Sequence, residues 1–420
     1  MNFTSMFNKK KIGLVNPNLI GKSKYLYSTV VHSAAGNTGN SYIGQYLFDI
    51  FQERQETITL QNNIFFDATP SKKELNDLDF IVFSFQDFLK NSLSYFTNND
   101  PFMEWKDLIR SSSATPVVIG LGINSHDGNL PTNILPSLVE LLREIDKKCG
   151  LICTRCDLTS SYLKELGINC VVSTGCPSYF AYDNDSILLK KVYELNNLEN
   201  HNSEIAINGI FWSSEFTKET INPVLQDEPG FLRLLENEES LSINDIIYNL
   251  DMSHGYTKMI LDSIERKKIS IHPHLRSAGS TYQRCKFSIG TRVHGAIASI
   301  NSGTPSIITN NDLRSKSLCD FFHLPHLPEF GFSNPSNHFG KDLTIRQIQE
   351  ILIQYDWKSI LKIRRNKAKI FKKALNSIGI KVSILSKITF HDMNLVQERL
   401  NEIDLSNSNA INFLVKNLKN

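Results

Sequence analysis

The stretch GTRVHGAIASINSGTP, residues 290–305, sets Arg292 and His294 two positions apart, between the apolar strand KFSIG and a small-residue helix that ends at Gly303. A strand, a tight turn and a helix in that order aim backbone N–H groups and the positive end of the helix dipole at whatever lies above the turn. The natural ligand there is an anion. Arg292 adds a planar fork suited to carboxylate or phosphate, and His294 can donate a hydrogen bond or exchange a proton near neutral pH. Gly295 contributes its amide to the same helix entrance. A surface arginine and a histidine in a capped first turn, with no ligand, fit the spacing equally well.

Other strand ends offer further candidates. AAGNTGNSYIG, residues 34–44, follows the first apolar run; Gly36 and Gly39 permit tight turns and close ligand approach, while Asn37 and Asn40 can cap a helix or bond a ligand. It is not a GxGxxG fingerprint, and a purely structural loop explains it as well. IGLGINSHDG, residues 119–128, ends another strand and places Asn124 and His126 where side chains face a cleft. Arg155 stands at the end of GLICT, and Arg314, in NNDLRS, is a last cleft contact. TGCPSYF, residues 174–180, shapes the crossing between domains.

Cys153 and Cys156 form a CxxC, but no second pair completes four metal ligands, and buried ordinary thiols are the expectation. His272 and His274 lack a neighbouring carboxylate pattern. No metal and no cofactor are therefore expected, and GxSxG, Walker A and HExxH motifs are absent.

The elements that must hold these residues follow from hydrophobic patterning. KIGLVNP, ETITLQNNIFF, DFIVFSF, TPVVIGLGI, GLICTR and NCVVST are short runs rich in Ile, Val and Phe without strict alternation, as strands covered on both faces would be. Amphipathic segments lie between them: SYIGQYLFDIFQERQ, PFMEWKDLIR, LPSLVELLREIDKK and LTSSYLKELG, the last with Thr159 or Ser160 able to cap and Gly167 as terminator. After a polar connection over 183–204, the rhythm restarts with EIAINGIFW, KISIHPH, CKFSIG and TPSIIT as strands and helices near 253–266, 294–302 and 313–322. The pattern predicts an N-terminal α/β domain over 1–190, a second over 191–340 and a helical C-terminal extension over 341–420. The cleft between the domains is the expected binding site.

Composition narrows the function classes. With 45 Lys and Arg against 43 Asp and Glu, the chain lacks the basic excess of a nucleic-acid binder. Seven cysteines, an odd number, favour reduced thiols in a reducing compartment, and no apolar run reaches the length of a membrane span. The expected location is the cytoplasm. Residues 362–373 hold seven Lys or Arg and no acid; a solvated helix face is the plain reading, and contact with an anionic membrane at its inner face the functional one.

GNTGN, TRCDLTSSYLKELGI and GTRVHGAIASINSGTPSIITNNDLRS, in that order, resemble the polysaccharide pyruvyltransferase family over roughly residues 12–325. The R-x-H-G motif followed by a small-residue helix and G-x-P is the most specific of the three. The resemblance implies two Rossmann-like domains in a GT-B-like arrangement. It also implies transfer of pyruvyl from phosphoenolpyruvate to sugar hydroxyls as a ketal, on cell-surface or capsular polysaccharides or their precursors. Phosphoenolpyruvate would be the donor substrate and a glycan or lipid-linked glycan the acceptor. Carried over by motif, the family's arginine and histidine fall on Arg292 and His294 and its mid-chain arginine on Arg155. Cys156 and Cys176 stand where the family commonly has Asp, so neither position supplies a carboxylate here. The rival with the same architecture is a nucleotide-sugar glycosyltransferase.

Overall fold

The computed structural model describes residues 9–20, 30, 33–34, 37–91, 100–125, 128–196, 204–211, 213–216, 220–226, 254–309, 312–327, 343–387, 389–390 and 393–397. Within them lie two parallel six-stranded sheets. The first holds β1 (Lys11–Val15), β2 (Glu56–Gln61), β3 (Phe80–Ser84), β4 (Thr115–Leu121), β5 (Leu151–Thr154) and β6 (Val171–Ser173), in the order β2-β1-β3-β4-β5-β6. The second holds β7 (Ile205–Asn208), β8 (Ile221–Leu225), β9 (Ser270–Ile271), β10 (Ser288–Gly290), β11 (Ser306–Thr309) and β12 (His326–Leu327), in the order β9-β8-β7-β10-β11-β12. Each order reverses once, between β1 and β3 and between β7 and β10. At such a switch point the flanking connections leave in opposite directions and open a crevice at the strands' carboxyl ends.

The helices are α1 (Thr38–Gln52), α2 (Lys72–Leu75), α3 (Pro101–Ser111), α4 (Pro136–Lys147), α5 (Asp157–Glu165) and α6 (Asp185–Glu194) around the first sheet and its exit. They continue with α7 (His254–Glu265), α8 (Leu275–Arg284), α9 (Val293–Asn301), α10 (Leu313–Phe322), α11 (Ile345–Gln354) and α12 (Trp357–Ser377). Their starts follow local chemistry. Asn37 caps α1 through Gly39 N, Asp100 caps α3 ahead of Pro101, and Asp312 caps α10 through Ser315 N.

Some elements depart from the sequence reading. Helix α5 begins at Asp157, so Thr159 and Ser160 are inside it rather than capping it. Their hydroxyls bond other groups: Thr159 Oγ1 accepts from Ile123 N at 3.4 Å, and Ser160 Oγ meets Thr154 Oγ1 at 2.6 Å. Gly167, at φ +79°, does lie just past the helix end. Strand β8 is absent from the strands expected above; it contains Pro223, which cannot donate to a ladder. It nonetheless pairs with both β7 and β9. The two-residue β12 is too short for any pattern to show.

One core runs through both halves. It joins the face of the first sheet under α1, the turn Pro177–Phe180, the second sheet and α12. A second cluster fills the other face of the first sheet around Trp105, whose Nε1 donates to Gln61 Oε1 at 2.7 Å. Helix α12 returns to the first half. Arg364, fully buried, donates from Nη1 to Asp185 Oδ1 at 3.0 Å and from Nη2 to Asn301 Oδ1 at 3.2 Å and to the Tyr182 carbonyl. Asn301 ends α9, so this arginine links the C-terminal helix, the exit of the first domain and the helix that carries His294.

Arg365 meets Asp185 Oδ2 at 2.8 Å, and Lys367 Nζ lies 3.6 Å above the Phe321 ring. The basic segment is thus not a uniformly solvated face: three of its cations hold the fold together, while Lys362, Lys369, Lys372 and Lys373 are exposed. Replacing Arg364 with alanine leaves Asp185 only its half-exposed partner Arg365, frees the Asn301 amide oxygen and the Tyr182 carbonyl, and opens a large void; it is expected to cost about 3–5 kcal/mol in urea unfolding. An unchanged midpoint would contradict the role given to Arg364.

Candidate active site

The carboxyl ends of the two sheets meet across a cleft. From the second half come Asn208 at the end of β7, Gln226 just past β8 and the turn from β10 into α9. Gly290 makes that turn possible: its φ is +148°, and a Cβ there would run into the Asn208 carbonyl. Arg292 then sits at the N-cap of α9, its own N–H donating to Asn208 O at 3.0 Å, and His294 falls in the first turn. From the first half come the start of α1 after β1, Asp87 just past β3, the Gly122 turn after β4 and Arg155 after β5.

Arg155 and His294 meet from opposite halves. Arg155 Nη2 lies 3.4 Å from His294 Nε2, and both side chains are almost completely buried. A guanidinium can only donate, so Nε2 must offer its lone pair and the imidazole is neutral with its proton on Nδ1. Electrostatics agree. Burial, with Arg155 and Arg314 beside the ring, holds the His294 pKa well below its ordinary 6.5, and the Asp87 charge does not offset this. Nδ1 faces the start of α1, where a Cβ on Gly39 would lie 2.7 Å from it. Only glycine lets that helix end come so close.

Arg155 is held by Asp87, with Nη1 3.0 Å from Oδ1, while Asp87 Oδ2 takes Arg314 of the second half. Arg314 Nη2 also reaches Asp312 Oδ2 at 3.0 Å. Burial alone would raise the Asp87 pKa, but Arg314 and Arg155 outweigh it and keep the carboxyl below its ordinary range. The Arg155 Nε and Asn208 Nδ2 hydrogens are buried with no hydrogen-bond partner among the described residues, although Asn208 Oδ1 accepts from Tyr282 OH at 2.5 Å. Unsatisfied donors beside a helix N-terminus are what an anion site needs before its anion arrives.

The other candidates divide. The start of α1 meets the second half directly, with Thr38 N donating to Gln226 O at 3.0 Å, and Asn37 caps this helix through Gly39 N at 2.7 Å. Asn40 Nδ2 serves its own loop, donating to Ala34 O at 3.1 Å. Asn124 lies in a strand-end loop whose Ser125 carbonyl accepts from Leu313 N at 2.9 Å, again across the cleft. The Arg292 side chain packs over Gly209, on the β7 side of the turn. Gly36 and His126 lie outside the described residues.

Asp87, Asn208 and Gln226 were missed. Asp87 follows a fully buried strand, a position that the carboxyl-end rule could have flagged, and Gln226 was hidden with β8.

Elsewhere the titratable clusters are structural. Cys153 and Cys156 are buried free thiols, and burial pushes Cys153 up to about 12 despite a hydrogen bond from Thr174. His272 lies between Met393 O and Thr281 Oγ1, and His274 caps α8 through Ser277 N. Among the described residues no three His, Cys, Asp or Glu side chains gather as a metal site, and no helix is long and apolar enough to cross a membrane.

A family model described as polysaccharide pyruvyl transferase matches residues 37–312. No curated protein sequence matches the chain. Among solved structures, the chain is similar to Alr3699/HepE of Anabaena, solved in complex with UDP and glucose, at 9% identity over 94% of this chain and 98% of that one, with a TM-score of 0.37. It is also similar to the glycosyltransferase SnogD from Streptomyces nogalater, at 8% identity over 88% of this chain and 99% of that one, with a TM-score of 0.34.

Proposed function

We propose, for a chain that belongs to the polysaccharide pyruvyl transferase family, that it transfers pyruvyl from phosphoenolpyruvate to two hydroxyls of a glycan, forming a cyclic ketal and releasing phosphate. The observation that carries this reading is the meeting of Arg155 and His294 at the N-terminus of α9, between the carboxyl ends of two parallel sheets. Phosphoenolpyruvate presents a carboxylate and a phosphate. Arg155, Arg292 and the Gly295 amide supply planar and backbone donors for both.

In the reaction the donor's methylene carbon gains a proton and becomes methyl, leaving positive charge on the carbon that carries the phosphate oxygen. One sugar hydroxyl adds there and loses its proton; the C–O bond to phosphate then breaks, phosphate leaves with a proton, and the second hydroxyl closes the ring as it loses its own proton, so the two hydroxyl protons match those gained by the methyl carbon and the phosphate. His294 is the residue placed to move the proton or to bond the departing phosphate. Being neutral in the free protein, it must first take up a proton, and the negative charge of the donor provides the drive. Two oxygens must close on one carbon in a five- or six-membered ring, so the acceptor is a sugar with 1,2- or 1,3-related hydroxyls.

Thermal melts separate this reading from its rival. Phosphoenolpyruvate at about 100 times its Kd adds roughly 2.7 kcal/mol of stability. Stabilisation by nucleotide sugars and none by phosphoenolpyruvate would instead assign the cleft to a glycosyltransferase.

A cytoplasmic location belongs to the same proposal, and so does a lipid-linked acceptor, which is supported by Lys362, Lys369 and Lys373 recurring on one exposed stripe of α12 at about 100° per residue. Attraction of roughly 1 kcal/mol per cation to an anionic surface is expected. Co-sedimentation with phosphatidylserine vesicles should fall when these three lysines become glutamine, and undiminished co-sedimentation would dismiss membrane contact through this stripe.

A further inference from the structure

Asp87, in the loop after β3, joins the two halves. Its carboxylate bridges two guanidinium groups from different halves: one oxygen lies 3.0 Å from Arg155 Nη1, and the other takes Arg314 Nη1. The Arg155 side chain is 2% exposed, Arg314 17% and Asp87 25%. Of the three side chains, Asp87 is the least buried and Arg155 the most. A planar two-oxygen anion spanning two guanidinium forks is also the geometry that a substrate carboxylate or phosphate adopts.

The charges point the same way. With His294 neutral, the Arg155 and Arg314 guanidiniums are matched by Asp87 and Asp312, with Lys90 also acting on Asp87 and Arg292 on the β7 side of the turn, so an anion that bridges these two guanidiniums finds the place between them taken. It can bind strongly there only if one of the carboxylates yields. Asp312 is the less free to move, because it is almost fully buried and its other oxygen caps α10 through Ser315 N at 2.6 Å. Asp87 has no such backbone duty among its contacts to the arginines, and it is the less buried of the two, half-buried where Asp312 is almost fully enclosed.

We propose that Asp87 is a built-in stand-in for the donor's anion: it holds the seat between Arg155 and Arg314 in the free protein, and the donor's carboxylate or phosphate displaces it. This rests on the reading of the cleft as the donor site. It makes Arg314 a donor-binding residue contributed by the second half, and it makes Asp87 a selectivity device. Only a ligand with an anionic group able to bridge both forks recovers what the displaced carboxylate gave up. A neutral sugar cannot open the seat. Because the seat is built from both halves, donor binding also keeps the two halves joined when Asp87 lets go.

The test compares the full-length protein with Asp87→Asn and Asp87→Ala, using inorganic phosphate and phosphoenolpyruvate as separate probes in calorimetric titrations and thermal melts at low salt. Without ligand both variants should melt lower than wild type, because Arg155 loses its partner. Phosphate should then raise their melting temperature by more than it raises that of wild type, and bind about tenfold tighter, the effect of one charge-assisted hydrogen bond gained. Phosphate shifts equal to or smaller than those of wild type would overturn the proposal and leave Asp87 as an arginine-holding residue.

Arg314→Gln, which leaves Asp87 on Arg155, gives a second arm should the Asp87 variants fold poorly. It should bind phosphate about tenfold weaker, and undiminished binding would also overturn the proposal. The two readings fail separately. Phosphate binding that follows this pattern in a protein without phosphoenolpyruvate turnover supports the stand-in and rejects only the donor. Turnover of phosphoenolpyruvate with phosphate binding indifferent to Asp87 rejects only the stand-in.

Discussion

Replacing His294 with alanine is expected to lower kcat/KM for phosphoenolpyruvate-dependent transfer by about 10²–10⁴-fold, the usual contribution of a positioned acid or base. The histidine lies in the first turn of α9 with its ring against Arg155 and the start of α1. The effect should have a protonic signature. The His294 pKa is well below 6.5 in the free protein because of burial and the two neighbouring arginines. A bound trianionic donor raises it, so binding takes up a proton, and affinity falls as pH rises through the pKa of the complex. Titration calorimetry in buffers of different ionisation enthalpy should show that uptake in wild type and lose it in His294→Ala. Equal uptake in both proteins would assign the proton to another group.

The same depressed pKa fixes the sign for stability. The native protein holds His294 neutral, so its contribution is complete above pH 6.5 and is lost as pH falls below it, where the unfolded chain binds the proton more readily.

Arg155→Ala is the second large loss. The side chain is the most deeply placed cation of the cleft, and one arginine aimed at a transferring phosphoryl or departing phosphate supports rates by about 10²–10³-fold. Arg155→Lys should recover little of this, because an ammonium cannot bond Asp87, reach the His294 ring and present a further donor from one plane. The Asp87 carboxylate keeps Arg314 in the variant, so the expected stability loss is smaller than for Arg364. Wild-type kcat/KM in Arg155→Ala, with a folded protein by circular dichroism, would remove this residue from the site.

Much of the architecture was legible in local patterning. The buried strands of the first sheet are continuous apolar runs, and the stretch 313–322 read as a helix is α10. What was not legible depended on distant partners. Pro223 argues against a strand when read alone, yet β8 lies between two neighbours that hold it, and with it went any sign of Gln226. The cations of 362–373 look alike in sequence; their division into Arg364, buried on Asp185, and lysines in solvent depends on where α12 crosses the first half. Arg155 and His294 were readable as separate strand-end residues. Their 3.4 Å contact was not, and neither was Asp87, whose significance lies in two arginines 68 and 227 positions away.

The central claim is that this cleft moves pyruvyl from phosphoenolpyruvate to a diol. It is tested most directly by incubating the protein with phosphoenolpyruvate carrying carbon-13 in its pyruvyl carbons and a panel of glycans with 1,2- or 1,3-hydroxyl pairs. The predicted result is an acid-labile labelled ketal on one glycan, formed with one phosphate per ketal and lost in both Arg155→Ala and His294→Ala. A labelled ketal made equally well by those two variants would contradict the site, and transfer of sugar from a nucleotide donor with phosphoenolpyruvate left intact would contradict the function.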